Sequence, residues 1–220
     1  MIKLPKRLEA IANIVPLNSN IIDIGCDHGL LDIYLCQKGI SQKIIASDIN
    51  KSALSNAIAN IKKEKLERSI ETRLGDGLNT IKESDQIDTA IISGMGAHTI
   101  VGILKNNLNT LKKINTIIIQ SNTKNYFLRK EITKLNYLIA DEKIVKDKDK
   151  IYIIIKFIKG KRKYSRKELY FGPILLKENS KLFQEYQHKE LEKLLLLQKI
   201  IPKNKIIDRY KILKEIKLYN

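Results

Sequence analysis

From residue 20 to about 135, short runs rich in β-branched residues alternate with longer stretches whose apolar positions recur every three or four residues. The runs cover residues 21–24, 43–47, 69–74, 87–92 and 115–120. Each reads as a strand buried on both faces of a parallel sheet. The stretches between them, 29–37, 51–65, 97–107 and 122–135, predict helices; Ala53, Ala57 and Ile61, for example, share one helical face. Strand, helix, strand repeated in this way predicts an α/β fold with a right-handed, doubly wound sheet.

After Leu135 the pattern changes. Residues 137–145 and 150–158 are strand-like and joined by Lys146-Asp147-Lys148-Asp149, too short for a crossover, so they form an antiparallel hairpin. Ahead of the first strand, Leu4, Leu8, Ile11 and Val15 predict a lead-in helix ended by Pro16. Residues 160–173 are basic and end in Gly172-Pro173, read as a linker or turn. Leu175, Leu182, Tyr186 and Leu194 then outline one helix, Pro202-Lys203-Asn204 breaks it, and Ile206, Tyr210, Leu213 and Ile216 outline a second. This predicts a C-terminal α-helical hairpin, coiled-coil-like, and two domains, 1–160 and 161–220.

The chain has 220 residues, 43% of them hydrophobic, enough for one core and a small appendage. No stretch approaches the roughly 20 apolar residues that span a bilayer, and Met1 to Glu9 lacks the apolar run of a secretory signal. Cys26 and Cys36 have neither disulfide nor zinc spacing. A cytoplasmic protein with no metal and no membrane partner is expected. The net charge of +17 is unevenly spread: residues 161–220 hold 16 Lys+Arg against 7 Asp+Glu, a net of +9. An AT-rich genome explains abundant Lys, Ile and Asn but not this gradient, which points to a polyanionic partner.

Candidate chemistry sits at the strand ends. Asp23-Ile24-Gly25-Cys26-Asp27-His28-Gly29 follows the first strand and opens a helix. A dinucleotide site wants three spaced glycines; this loop has one early glycine and two carboxylates, poor neighbours for a pyrophosphate. They suit a ligand with sulfonium and ammonium groups, so S-adenosylmethionine is favoured over NAD. Asp48 and Ile49 end the second strand, where a carboxylate accepts hydrogen bonds from ribose hydroxyls. Gly75-Asp76-Gly77 ends the third, where Asp76 accepts from an adenine amino group. Ser93-Gly94-Met95-Gly96 follows the fourth and leaves room for a substrate base beside the methyl group; Gln120 and Asn122, after the fifth, add amides that read a base edge. Helix capping by Asp27, Asp48 or Asn122 is open at each of these places. Lys161, Arg162, Lys163, Arg166 and Lys167 form the densest basic run and are candidate phosphate contacts.

Five parallel units closed by a hairpin match the seven-stranded sheet of class I methyltransferases. Asp-Ile-Gly-Cys-Asp-His-Gly, Gly-Asp-Gly-Leu and Ser-Gly-Met-Gly-Ala, in this order, resemble the bacterial tRNA (adenine(22)-N1)-methyltransferases. Leu4-Pro5-Lys6-Arg7-Leu8, Gln120-Ser121-Asn122 and Gly172-Pro173 extend the resemblance over nearly the whole chain. Ser121 departs from the family's usual Gln-Pro-Asn. The resemblance implies a Rossmann-like catalytic domain with a C-terminal coiled coil, S-adenosyl-L-methionine as cofactor, S-adenosyl-L-homocysteine as product, and tRNA as substrate, with Arg7 among the RNA-contacting residues.

N1 of adenine is unprotonated at neutral pH, so its methylation needs alignment more than a strong base. The product base is cationic, and Asp27 is the candidate catalytic carboxylate to stabilise that charge. N1 lies on the Watson–Crick edge, so the target must be unpaired and splayed out. A methyltransferase acting on another RNA base, or a non-catalytic RNA-binding protein on this scaffold, are the alternatives. A monomer is expected, with a dimer through the hairpin as the other arrangement.

Overall fold

The computed structural model describes residues 2–202 and 204–219. Lys203, part of the expected break at 202–204, lies outside them. The chain divides into two compact units, Met1–Tyr164 and Ser165–Asn220. The division falls after Tyr164, because its hydroxyl accepts the Ile139 N–H at 2.7 Å and keeps this segment with the sheet.

The first unit opens with helix α1 (Lys6–Ala12) and continues through β1 (Asn20–Ile24), α2 (Leu30–Gln37), β2 (Lys43–Asp48), α3 (Lys51–Lys63) and β3 (Ile70–Leu74). There follow β4 (Thr89–Met95), α4 (Ala97–Lys105), α5 (Leu108–Leu111), β5 (Thr116–Ser121) and α6 (Asn125–Thr133). The hairpin β6 (Tyr137–Asp147) and β7 (Lys150–Lys159) closes the unit. The strand order is β3-β2-β1-β4-β5-β7-β6. Strands β1 to β5 pair in parallel, and β7 runs antiparallel between β5 and β6.

Isoleucine makes this sheet. Ile21, Ile22, Ile44, Ile45, Ile91, Ile92 and Ile117 to Ile119 are all buried between the helical layers. Their branched side chains fit the pleat and lose little rotamer freedom there. The strand order runs outwards from β1 in both directions, which puts the ends of β1, β2 and β3 on one side of the β1/β4 junction and those of β4 and β5 on the other. Ligands of open α/β sheets bind at such a reversal of strand order.

The structure corrects two sequence expectations in this unit. The fourth strand does not stop at Ile92 but runs to Met95. Its pairing with β5 shifts between Ser93 and Met95, leaving Gly94 as a bulge at φ 79°. A residue with no Cβ takes that left-handed conformation at little cost. The lead-in helix ends at Ala12, four residues before Pro16. Helix α6 is pinned by a fully buried ion pair, Arg129 Nε to Glu142 Oε1 of β6 at 2.7 Å.

The second unit holds α7 (Arg166–Phe171), α8 (Pro173–Glu178), α9 (Lys181–Ile200) and α10 (Ile206–Ile216). The basic stretch expected to be a linker is thus partly helical. Ser165 and Glu168 form a capping box that starts α7, a Ser-x-x-Glu signal present in the sequence. Leu175 belongs to α8 and not to the long helix, because Asn179 turns left-handed at φ 44° and Ser180 caps α9 anew. Helices α9 and α10 pack together as the expected hairpin. Arg209 of α10 ties them by donating to the Ile201 carbonyl at 2.9 Å.

Candidate functional site

The loop after β1 is shaped by its neighbour strand. The N–H groups of Gly25 and Cys26 both donate to the Ser47 carbonyl, at 2.8 and 3.1 Å. Gly25 sits at φ 78°, and a Cβ there would collide with Met95 Cε. The loop after β1 and the end of β4 therefore meet at one point, where the left-handed backbone favours glycine and an added Cβ would have to push the Met95 methyl aside.

Asp27 adopts φ 50°, and its N–H donates to Asp48 Oδ2 at 3.3 Å. The other Asp48 oxygen accepts the Asn50 N–H at 2.8 Å. Asp48 does not cap α3; Asn50 does, accepting from Ser52 and Ala53. Asp27 caps nothing either, since Gly29 stands at the N-cap of α2. Its exposed carboxylate lies 3.6 Å from His28 Nε2. Gly75 donates its N–H to the Asp48 carbonyl at 3.0 Å, which brings Asp76, also exposed, beside the end of β2. Ile49 is 73% exposed and Leu74, paired in register with Asp48, is 52% exposed. Two apolar side chains thus stand in the open next to three carboxylates.

Asp23 differs from these. It is buried, and its Oδ1 has no hydrogen-bond partner among the described residues. Burial pushes its carboxyl up to about 7, against the pull of Arg7 and with the charge of Asp48 adding to the shift. Sequence reading missed its neighbour Asp32 in the first turn of α2. Asp32 is fully buried, neither of its oxygens has a partner among the described residues, and burial with Asp23 nearby holds its carboxyl well above the usual range. An acidic residue inside Leu-Leu-Asp-Ile was the available signal. Cys26 is buried under the loop, and burial followed by the Asp32 charge pushes its thiol up, so it is no nucleophile.

Across the sheet reversal, Arg7 reaches in from α1. Its Nη1 donates to Gln120 Oε1 at 2.8 Å and to Ser93 Oγ at 3.3 Å. The backbone of Arg7 is held in turn by Asp147, whose Oδ2 accepts its N–H at 3.2 Å. Gln120 Oε1 also accepts the Gly94 N–H at 3.1 Å, and its Nε2 donates to Asn122 Oδ1 at 3.0 Å. Asn122 Nδ2 completes the circuit by donating to the Gly94 carbonyl at 2.7 Å. This corrects the reading of Gln120 as a base-reading amide: the side chain is fully buried and its groups are spent on holding the bulge. Asn122 stays exposed, and it does not cap α6, whose N-cap is Lys124. Ser121, in place of proline, uses its hydroxyl to bond the Met95 and Thr123 carbonyls at 3.3 and 2.8 Å.

Lys161, Arg162, Lys163, Arg166 and Lys167 are all exposed. The first three belong to the first unit and the last two open α7 in the second. Among the described residues, no three His, Cys, Asp or Glu side chains group as metal ligands, and no helix is long and apolar enough to cross a membrane.

The family profile of tRNA (adenine(22)-N(1))-methyltransferase matches residues 21–220. The chain belongs to this family. A relative from Bacillus subtilis (strain 168), named tRNA (adenine(22)-N(1))-methyltransferase, is 30% identical over 200 residues, 86% of this chain and 84% of its own. A solved structure of a putative tRNA (m1A22) methyltransferase from Streptococcus pneumoniae, in complex with S-adenosyl-L-methionine, is 31% identical. It has a TM-score of 0.90 and covers 99% of this chain and 97% of its own. The M. capricolum TrmK structure, bound to S-adenosyl-homocysteine, is 33% identical with a TM-score of 0.88, covering 98% and 95%. Family membership extends to the second unit, because the match runs to the last residue.

Proposed function

We propose that this chain transfers a methyl group from S-adenosylmethionine to N1 of an unpaired adenine in tRNA, the position-22 adenine of the family's name. The observation that carries the reading is the pairing of two half-sites across Gly25 and Met95: carboxylates at the ends of β1, β2 and β3, and a small-residue bulge braced by Arg7 and Gln120 at the ends of β4 and β5.

The residues present fit the methyl donor. Asp23 brings a buried carboxyl with an oxygen unpartnered among the described residues, which a cationic ligand would satisfy. Asp48 spends one lone pair of each oxygen on backbone N–H groups and keeps others for ribose hydroxyls. Ile49 and Leu74 offer apolar surface to a purine ring, and Asp76 an acceptor for its amino group. Gly25, Cys26, His28, Gly75 and Gly77 shape the backbone around it, and Gly94, Met95 and Gly96 border the methyl end. When bound, S-adenosylmethionine supplies an electrophilic methyl group.

The chain's own work is alignment and electrostatics. The Arg7–Gln120–Asn122 circuit fixes the bulge against which the adenine docks, and Asn122 reads the base edge. Asp27 acts on the developing positive charge through its field: it contacts Asp48 and His28 on the cofactor side of the loop, and RNA docking excludes the water that screens it. The exposed basic residues from Lys161 to Lys167 grip phosphates. The protein acts as a monomer in the cytoplasm, where tRNA resides.

Primer extension on tRNA incubated with protein and S-adenosylmethionine tests this reading. A methyl group on a Watson–Crick edge stops reverse transcription. A new, cofactor-dependent stop at adenine 22 is expected; full-length extension throughout overturns the proposal.

A further inference from the structure

The loops after β4 and β5 are stitched together before their helices begin. The Asn122 N–H and the Ser121 hydroxyl both donate to the Met95 carbonyl, at 2.9 and 3.3 Å. Beyond the stitches, His98 of α4 and Lys124 at the N-cap of α6 meet: Lys124 Nζ lies 3.0 Å from His98 Nε2. The imidazole also packs against Phe127, ring centroids 4.3 Å apart and tilted by 39°. His98 and Lys124 are exposed and Phe127 is half-buried. Tyr126, next along α6, carries Lys130 6.0 Å from its ring centroid. Two rings and an ammonium, His98, Phe127 and Lys124, therefore stand within five residues of Met95 or Asn122, and the circuit of the bulge does not use them.

We propose that His98, Lys124 and Phe127 form a docking subsite for one unpaired tRNA nucleotide that flanks the methylated adenine. The inference rests on the reading that the substrate is a tRNA adenine. A base drawn out to expose N1 leaves its neighbour without a stacking partner, and aromatic rings replace that partner for any base. Lys124 supplies the charge for the linking phosphate, at the N-terminal end of α6 where the helix dipole also favours an anion. The phosphate takes over the Lys124 ammonium and releases His98 to hydrogen-bond the base. Surface packing between two helices would need none of this polarity on an exposed rim.

Fluorescence anisotropy with an unmodified tRNA transcript, at several salt concentrations, tests the subsite without turnover. His98→Ala and Phe127→Ala are expected to weaken tRNA binding about tenfold, and Phe127→Trp to restore it. Lys124→Ala is expected to lower the slope of log K against log salt by about 0.7 to 0.9. Calorimetric affinity for S-adenosylmethionine should not change in any of them. Parental affinity and salt slope in all three alanine variants overturn the subsite, as does a loss matched by an equal loss of cofactor affinity, which marks local collapse. Methyl transfer by the parent is read separately. A parent that binds the transcript but never methylates it contradicts the proposed function, while the binding data still decide the subsite.

Discussion

Arg7 and Gln120 are 113 residues apart in sequence and joined by a 2.8 Å hydrogen bond from guanidinium to amide oxygen. The bond links a surface helix to the buried end of β5 and, through the shared oxygen, to the Gly94 N–H. The shape of the bulge thus depends on the first helix.

If the two residues act as a unit, Arg7→Ala and Gln120→Ala each lower turnover on tRNA by about tenfold or more, and the double variant loses much less than the product of the two. Steady-state kinetics on the four proteins measures the coupling. Multiplicative losses would mean that each residue acts alone.

Asp23 predicts how cofactor binding depends on pH. Its carboxyl titrates near 7 because it is buried, so it is neutral below that pH and a carboxylate above it. A cationic ligand prefers the carboxylate. Affinity for S-adenosylmethionine should tighten as pH rises from 6 to 7.5, and Asp23→Asn should bind more weakly with a flatter profile. Calorimetry at each pH checks both, and a parental profile retained in Asp23→Asn removes Asp23 from cofactor binding.

Asp32 predicts how stability depends on pH. Burial raises its folded-state pKa, so the fold keeps a proton that the unfolded chain gives up above about pH 4. Its contribution is full below that pH and is lost as pH rises. Asp32→Asn removes the loss, and melting curves should show a gain of about 3 °C at pH 8 that shrinks towards pH 5. A gain independent of pH would mean that titration of Asp32 is not its source.

Asp27→Asn separates field from binding. With its backbone N–H still bonded to Asp48, the variant should keep its cofactor affinity and lose about tenfold or more in turnover. Parental turnover would leave the developing charge to other groups.

The sheet was legible in the sequence because short isoleucine-rich, β-branched segments of four to six residues recur between helical patterns. The acidic strand ends were legible because their positions follow from strand order. What stayed hidden was tertiary. The bulge at Gly94 depends on pairing with Gln120, and nothing in the local pattern says that Arg7 is its brace. Gln120 looked like a base reader because its type is right, whereas burial commits it to the backbone. His98 looked isolated because Lys124, its partner, is 26 residues away. The start of α7 was missed despite Ser165 and Glu168, because the charge of the segment masked the capping box.

The central claim, methyl transfer to adenine N1, is tested most directly by mass spectrometry of nucleosides released from tRNA after incubation with the protein and S-adenosylmethionine. The account predicts 1-methyladenosine, absent when the protein or the cofactor is left out. Unmodified adenosine throughout, or a methyl group found only on another atom or base, would contradict it.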